Sequence, residues 1–228
     1  MQLRGSQSRE ADDLTTGFLP LVHAAFNFLE DEYGLATMTE DEDKTRRFYG
    51  GFVSYASDRT VVTIAVDRGV LTSPAIGRAK DFGVSGGLGH INLDRIYEFT
   101  VSTPQERSRL ASRDLGELKS AWRSVVKERR LDLQHFGLVR IPAQTFESEI
   151  AAGLIAYARV LKEYADPYLR GDFSNWVELC EYEWHRLVAG EVVNNRRWGE
   201  ELSVENVELR FPRLRAYLER LRSEAGQS

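Results

Sequence analysis

FYGGFVSYASDRTVVTIAV, running from Phe48 to Val66, is the stretch whose reading decides the fold. Phe52, Ser54 and Ala56 alternate with Val53 and Tyr55. After the triplet Ser57-Asp58-Arg59, Val62, Ile64 and Val66 alternate with Val61, Thr63 and Ala65. Alternation of period two, rich in β-branched and aromatic residues and broken by a polar triplet, predicts a β-hairpin. A lone hairpin is marginal in water, so one face must be covered. Helical segments fill most of the remaining chain and are the expected cover.

Upstream, Phe18, Leu21, Val22, Ala25, Phe28 and Leu29 recur at helical steps and predict a helix from about Phe18 to Tyr33. Gly34 stands where a left-handed residue ends a helix, and Pro20 is tolerable only in the first turn. Residues 35–47 read as an acidic loop. Downstream, Asp67-Arg68-Gly69 is a turn and Val70 to Ile76 a third strand, confined to an edge by Pro74.

Asn92 caps a short helix from Leu93 to Phe99, and Thr103-Pro104 opens the next. The apolar stripe of that helix is Ala111, Leu115, Leu118, Trp122, Val125 and Val126, and the opposite face carries Lys119, Arg123, Lys127 and Arg130. Gly137 to Ile141 reads as an extra strand. Three further helices follow, with stripes Phe146–Ile150–Leu154–Tyr157–Leu161–Tyr164, then Trp176–Leu179–Cys180–Glu183–Leu187 capped by Asp172, then Leu214–Tyr217–Leu218–Leu221 after Pro212. The fold class is therefore α+β: a small antiparallel sheet packed by an N-terminal helix, followed by a mostly helical C-terminal half. A seam near 100–105 would divide it into residues 1–102 and 103–228, or the two parts form one continuous domain.

Composition bounds the function classes. With 228 residues, 42% hydrophobic and 29% charged, the chain can bury a core without disulfides or a structural metal. One cysteine, Cys180, excludes an intramolecular disulfide and fits a reducing cytoplasm. No apolar run approaches a membrane span, and the N-terminus lacks a signal-peptide core. Neither a membrane nor a nucleic acid is expected as partner. The net charge of −5 is uneven: residues 1–43 hold ten acids and two arginines. Glu40, Asp41, Glu42 and Asp43 are the densest cluster, read as a solvated loop or as a docking surface for a basic protein.

FLEDEYG (Phe28 to Gly34), VSYASDR (Val53 to Arg59) and YADPYLRGD (Tyr164 to Asp172) together resemble small uncharacterised bacterial proteins. These pair a short sheet with a helical C-terminal half, and some resemble immunity-type proteins of bacterial conflict systems. The resemblance implies action by binding another protein and carries no catalytic residues with it.

Candidate chemistry is sparse. Gly86, Gly87, Gly89 and His90, leading into a helix, form the anion-binding candidate, since glycines let backbone N–H groups approach a phosphate. They lack the Gly-Lys-Ser/Thr ending of a phosphate loop and the spacing of a dinucleotide site. Glu178, Glu181 and His185 share one helix face and are the metal candidate. Cys180 sits on a buried stripe, where a thiol is a small hydrophobe. His23, His90 and His135 are read as structural or exposed, His90 having the most accessible setting. Arg123, Lys127, Arg129 and Arg130, or a second set at Arg210, Arg213, Arg215, Arg220 and Arg222, could meet phosphates, but acids are interleaved and a solvated helix face is expected. The expected function is thus a non-enzymatic cytoplasmic protein-binding module, immunity or defence associated, without cofactor. Any self-association would run through the C-terminal helix. The alternative is a small metal-dependent hydrolase or nuclease using His90 or the Glu178/Glu181/His185 face.

Overall fold

A computed structural model describes residues 17–43, 50–82, 89–136, 146–194 and 203–226. The elements are α1 (Phe18–Phe26), α2 (Phe28–Asp31), β1 (Ala36–Asp43), β2 (Gly50–Ala56), β3 (Thr60–Asp67), β4 (Val70–Leu71), β5 (Ala75–Arg78) and β6 (His90–Asn92). They continue with α3 (Leu93–Val101), α4 (Pro104–Arg109), α5 (Leu115–Trp122), α6 (Phe146–Tyr164), α7 (Asp166–Leu169), α8 (Trp176–Asn194), α9 (Val204–Glu208) and α10 (Pro212–Ala225). The fold is α+β. Its antiparallel sheet runs β1-β2-β3-β5-β6, with β4 pairing β3 beside that path.

The expected hairpin is β2 and β3, joined in the register Val53↔Ile64 and Tyr55↔Val62. Its apolar face reaches the core: Val53, Tyr55, Val62, Ile64 and Val66 are all buried, and Ile76 and Ile91 extend the face across β5 and β6. Phe18, Val22, Phe26 and Leu29 from α1 and α2 cover it. The buried cluster continues without a break through α3, α6 and α8 to Leu221 of α10.

Several expectations change. The first helix breaks at Asn27 into α1 and α2, then closes with Leu35 N donating to Leu29 O and Gly34 at φ +66°. Residues 36–43 are a strand rather than a loop. Acids are poor strand formers, but cross-strand pairing with β2 outweighs propensity, and an edge strand tolerates charge on both faces. The third strand is two pieces, because Pro74 has no N–H for the ladder and falls in the gap between β4 and β5. β5 is internal, since β6 pairs on its far side. The helix after Thr103 is likewise divided: Thr103 closes a capping box on α4, Asp114 caps α5, and Arg123–Glu128 form a π-helical turn. Ala111, placed on the apolar stripe, is exposed in the connection. Asp172 accepts from Ser174 N two residues before α8 rather than capping that helix. The expected strand at 137–141 lies outside the described residues. No described helix is long and apolar enough to cross a membrane.

Candidate functional site

The sheet's second face is built from the other half of each alternation. Register aligns Thr39↔Ser54, Ser54↔Thr63, Thr63↔Ala75 and Ala75↔Asn92, so five residues from five strands form one row. On one side of the row stands Phe52, opposite Asp41 and Ala65. On the other runs Val61, Gly77 and His90, and Phe82 meets the His90 ring edge-on at 5.1 Å. Short side chains between taller ones make a trough. Thr39, Phe52, Ser54, Thr63, Ala75, Phe82, His90 and Asn92 line an open cleft of about 530 Å³, to which no described helix contributes.

The floor is polar but uncharged. Ser54, only 2% exposed, shares a hydrogen bond with Thr63 at 3.0 Å between hydroxyls. Burial lowers the His90 pKa, against an opposing pull from Asp81, and keeps the imidazole neutral near pH 7. Its Nε2 is buried without a hydrogen-bond partner among the described residues. A buried polar atom of this kind ordinarily has a partner from solvent or ligand.

Of the expected anion cradle, only Gly89 and His90 fall within the described residues. A Cβ on Gly77 would come within 2.2 Å of Gly89 O, and one on Gly89 within 2.9 Å of Asp81 O. These glycines let the end of β5 and the start of β6 pack backbone to backbone. The strand β6 also stands between Gly89 and α3, so Gly89 does not open a helix. Gly86 and Gly87 lie outside the described residues.

The acidic run divides by face. Glu40 Oε2 lies 2.9 Å from His23 Nε2, and Glu42 Oε1 accepts the Phe18 N–H at 2.6 Å, occupying one of the free donors at the start of α1. Glu40 and Glu42 therefore fasten α1 to β1. Asp41 points to the trough side with its cross-strand neighbour Phe52, and alternation puts Asp43 there too.

His23 Nδ1 in turn lies 3.1 Å from the Tyr55 hydroxyl, completing a carboxylate–imidazole–phenol chain. Tyr55 is fully buried and its pKa is raised, chiefly by desolvation, so the chain holds the helix to the sheet and offers no accessible nucleophile.

The metal candidate does not assemble. Glu178 is exposed on α8, Glu181 pairs with Arg222 of α10 at 2.7 Å, and His185 is half-buried with a lowered pKa. Among the described residues no three His, Cys, Asp or Glu side chains group as a metal site. Cys180 is buried and desolvation raises its pKa, leaving a protonated, inert thiol.

Sequence reasoning missed the trough because its residues are unremarkable one by one. The available signal was that Phe52, Ser54 and Thr63 occupy the second face of a hairpin whose first face is wholly apolar. No family model, curated protein or solved structure matches the chain.

Proposed function

We propose that this chain is a bacterial, cytoplasmic protein-binding module of the immunity type, which seats a helix of its partner across the face of the sheet that no described helix lines. The observation that carries the reading is the row Thr39–Ser54–Thr63–Ala75–Asn92 between Phe52 and His90. Four strand spacings make the row about 19 Å long, and its flanking rows stand about 13 Å apart. That width suits an α-helix of about 10–12 Å diameter. An open trough of this length suits a macromolecular segment better than a small ligand, which is usually enclosed.

Charge selects the partner. Among the described residues no lysine or arginine lines the trough, and Asp41 and Asp43 stand at its β1 end, so the seated helix carries a basic end and an apolar face for Phe52 and Phe82. The resemblance to immunity-type proteins and the single buried cysteine agree with this reading.

The test is a photo-crosslinking residue placed at Phe82 in cells of the native host, with Leu209, 72% exposed on a remote helical segment, as control position. A discrete protein adduct is expected from position 82 and none from 209. Its yield should fall when Asp41→Asn and Asp43→Asn are added. No adduct at 82, or the same adducts from both positions, would end the proposal.

A further inference from the structure

We propose that the solvent face of α5 and the π-helical turn after it binds the phosphodiester backbone of a nucleic acid. Lys119, Arg123 and Lys127 lie along this face and Arg130 follows just beyond its end, the last three exposed. None of the four has a side-chain hydrogen bond or ion pair among the described residues. Two acids of the neighbouring helices are already paired, Glu106 with Arg129 at 3.2 Å and Glu117 with Arg109 at 3.6 Å. Glu128 is the one acid of the turn itself. The face therefore carries a surplus of cations that composition averages away.

The π-helical turn sharpens the alignment. Four residues of α-helix advance a side chain about 40° past a full turn, so Lys119, Arg123 and Lys127 would drift steadily around a regular helix. In a π turn, whose i→i+5 bonds give about 4.4 residues per turn, four residues fall about 30° short instead. The second step thus reverses the drift of the first. Three cations stand in a line about 12 Å long.

Composition of the surface selects the polyanion. The large apolar side chains exposed among the described residues are Met38, Val70, Phe82, Ile155 and Leu209, none of them on this helix. A membrane-binding helix needs an apolar face to insert. A protein interface needs a desolvated apolar centre. A line of unpaired cations without either suits a phosphate backbone, where binding comes from counterion release.

Fluorescence anisotropy of a labelled DNA duplex of about 20 base pairs tests this on the full chain. Four phosphate contacts predict an affinity that falls roughly 150-fold between about 50 and 200 mM salt. The triple variant Arg123→Gln/Lys127→Gln/Arg130→Gln should bind more weakly and lose only about 3- to 4-fold over the same range. Arg68→Gln/Arg210→Gln/Arg213→Gln removes the same charge from other exposed positions that are unpaired among the described residues and should leave binding and slope near wild type. No binding at about 50 mM salt, equal losses from the two triple variants, or tighter binding to anionic vesicles or polyglutamate would each overturn the proposal. Because none of these residues borders the trough, either outcome leaves the protein-binding proposal to its own test.

Discussion

The Asp81 carboxylate, 1% exposed, accepts the Tyr217 hydroxyl proton at 3.0 Å across 136 positions of sequence. Arg78 Nε donates to the same oxygen at 2.6 Å and Arg220 Nη2 to the other at 2.8 Å. Trp176 Nε1 donates to the Tyr217 oxygen at 3.3 Å, so the end of the sheet, α8 and α10 meet at one charge. Asp81→Ala would leave Arg78, largely buried, with only its longer contact to Glu224 Oε2 at 3.3 Å. It should cost about 3–5 kcal/mol, whereas Tyr217→Phe, which removes one donor to a charged group, should cost about 1.5–3 kcal/mol. Urea denaturation measures both, and an Asp81→Ala variant as stable as Tyr217→Phe would mean that Glu224 alone suffices to hold Arg78.

The hairpin register predicts opposite outcomes for neighbouring residues. Ile64 is fully buried on the core face, and Thr63 lies on the trough face. Ile64→Ala should destabilise by about 2–5 kcal/mol. Thr63→Ala, which loses one hydroxyl bond to Ser54, should cost about 1 kcal/mol. A reversed order in thermal melts would put the faces the other way round.

Gly190 sets two effects against each other. Alanine is favoured over glycine inside a helix by about 1 kcal/mol. A Cβ at 190, however, would stand 2.6 Å from Trp122 Cη2, on a ring that is itself stacked with Arg186. Overpacking of this kind costs about 1–3 kcal/mol, so Gly190→Ala should be net destabilising. The double variant Gly190→Ala/Trp122→Leu should recover part of the loss relative to Trp122→Leu alone, and additive losses would show that the two sites do not touch.

Two histidines set the mildly acidic limb of the stability curve. Burial lowers the pKa of His90, which faces Asp81, and of His185, which faces Glu181, Glu208 and Arg222. Below the ordinary value of 6.5 the unfolded chain takes up protons that the folded chain refuses, so stability falls as pH drops through that range. His185→Gln should flatten the fall between pH 6.5 and about 5.

Glu183 has the opposite sign. Burial raises its pKa above the ordinary 4.5 despite Arg186 and Arg95, and its Oε2 lacks a hydrogen bond among the described residues. A carboxyl with a raised folded pKa contributes fully below the unfolded value, and that contribution is lost as pH rises through the folded one. Glu183→Gln should therefore gain stability relative to wild type at pH 7 and not at pH 4, read from paired melts. An equal effect at both values would show that charge is not the cause.

The parts of this fold legible in the sequence are those fixed by neighbours along the chain. The faces of β2 and β3, and the buried stripes Ile150–Leu154–Tyr157–Leu161 and Leu214–Tyr217–Leu218–Leu221, follow from spacing, because side-chain direction repeats every 2 or 3.6 residues. Pairing did not follow. β1 is a strand because β2 offers it a ladder, not because ATMTEDED prefers one, and β6 is hidden in a glycine-rich stretch for the same reason.

What the sequence by itself determined is the α+β class, the core register of the hairpin and the apolar faces of α6, α8 and α10. The trough, the division of Glu40–Asp43 between two faces, and the freedom of Arg123, Lys127 and Arg130 were decided only by tertiary structure. So were the buried partners of Asp81 and of Glu98, which holds Arg95 at 2.8 Å and Arg186 at 2.8 Å. Periodicity is a property of successive residues. Which carboxylate reaches which guanidinium depends on distances of a few ångströms between segments as far apart as 139 positions, as Asp81 and Arg220 are, and short-range attraction acts only once folding has closed them.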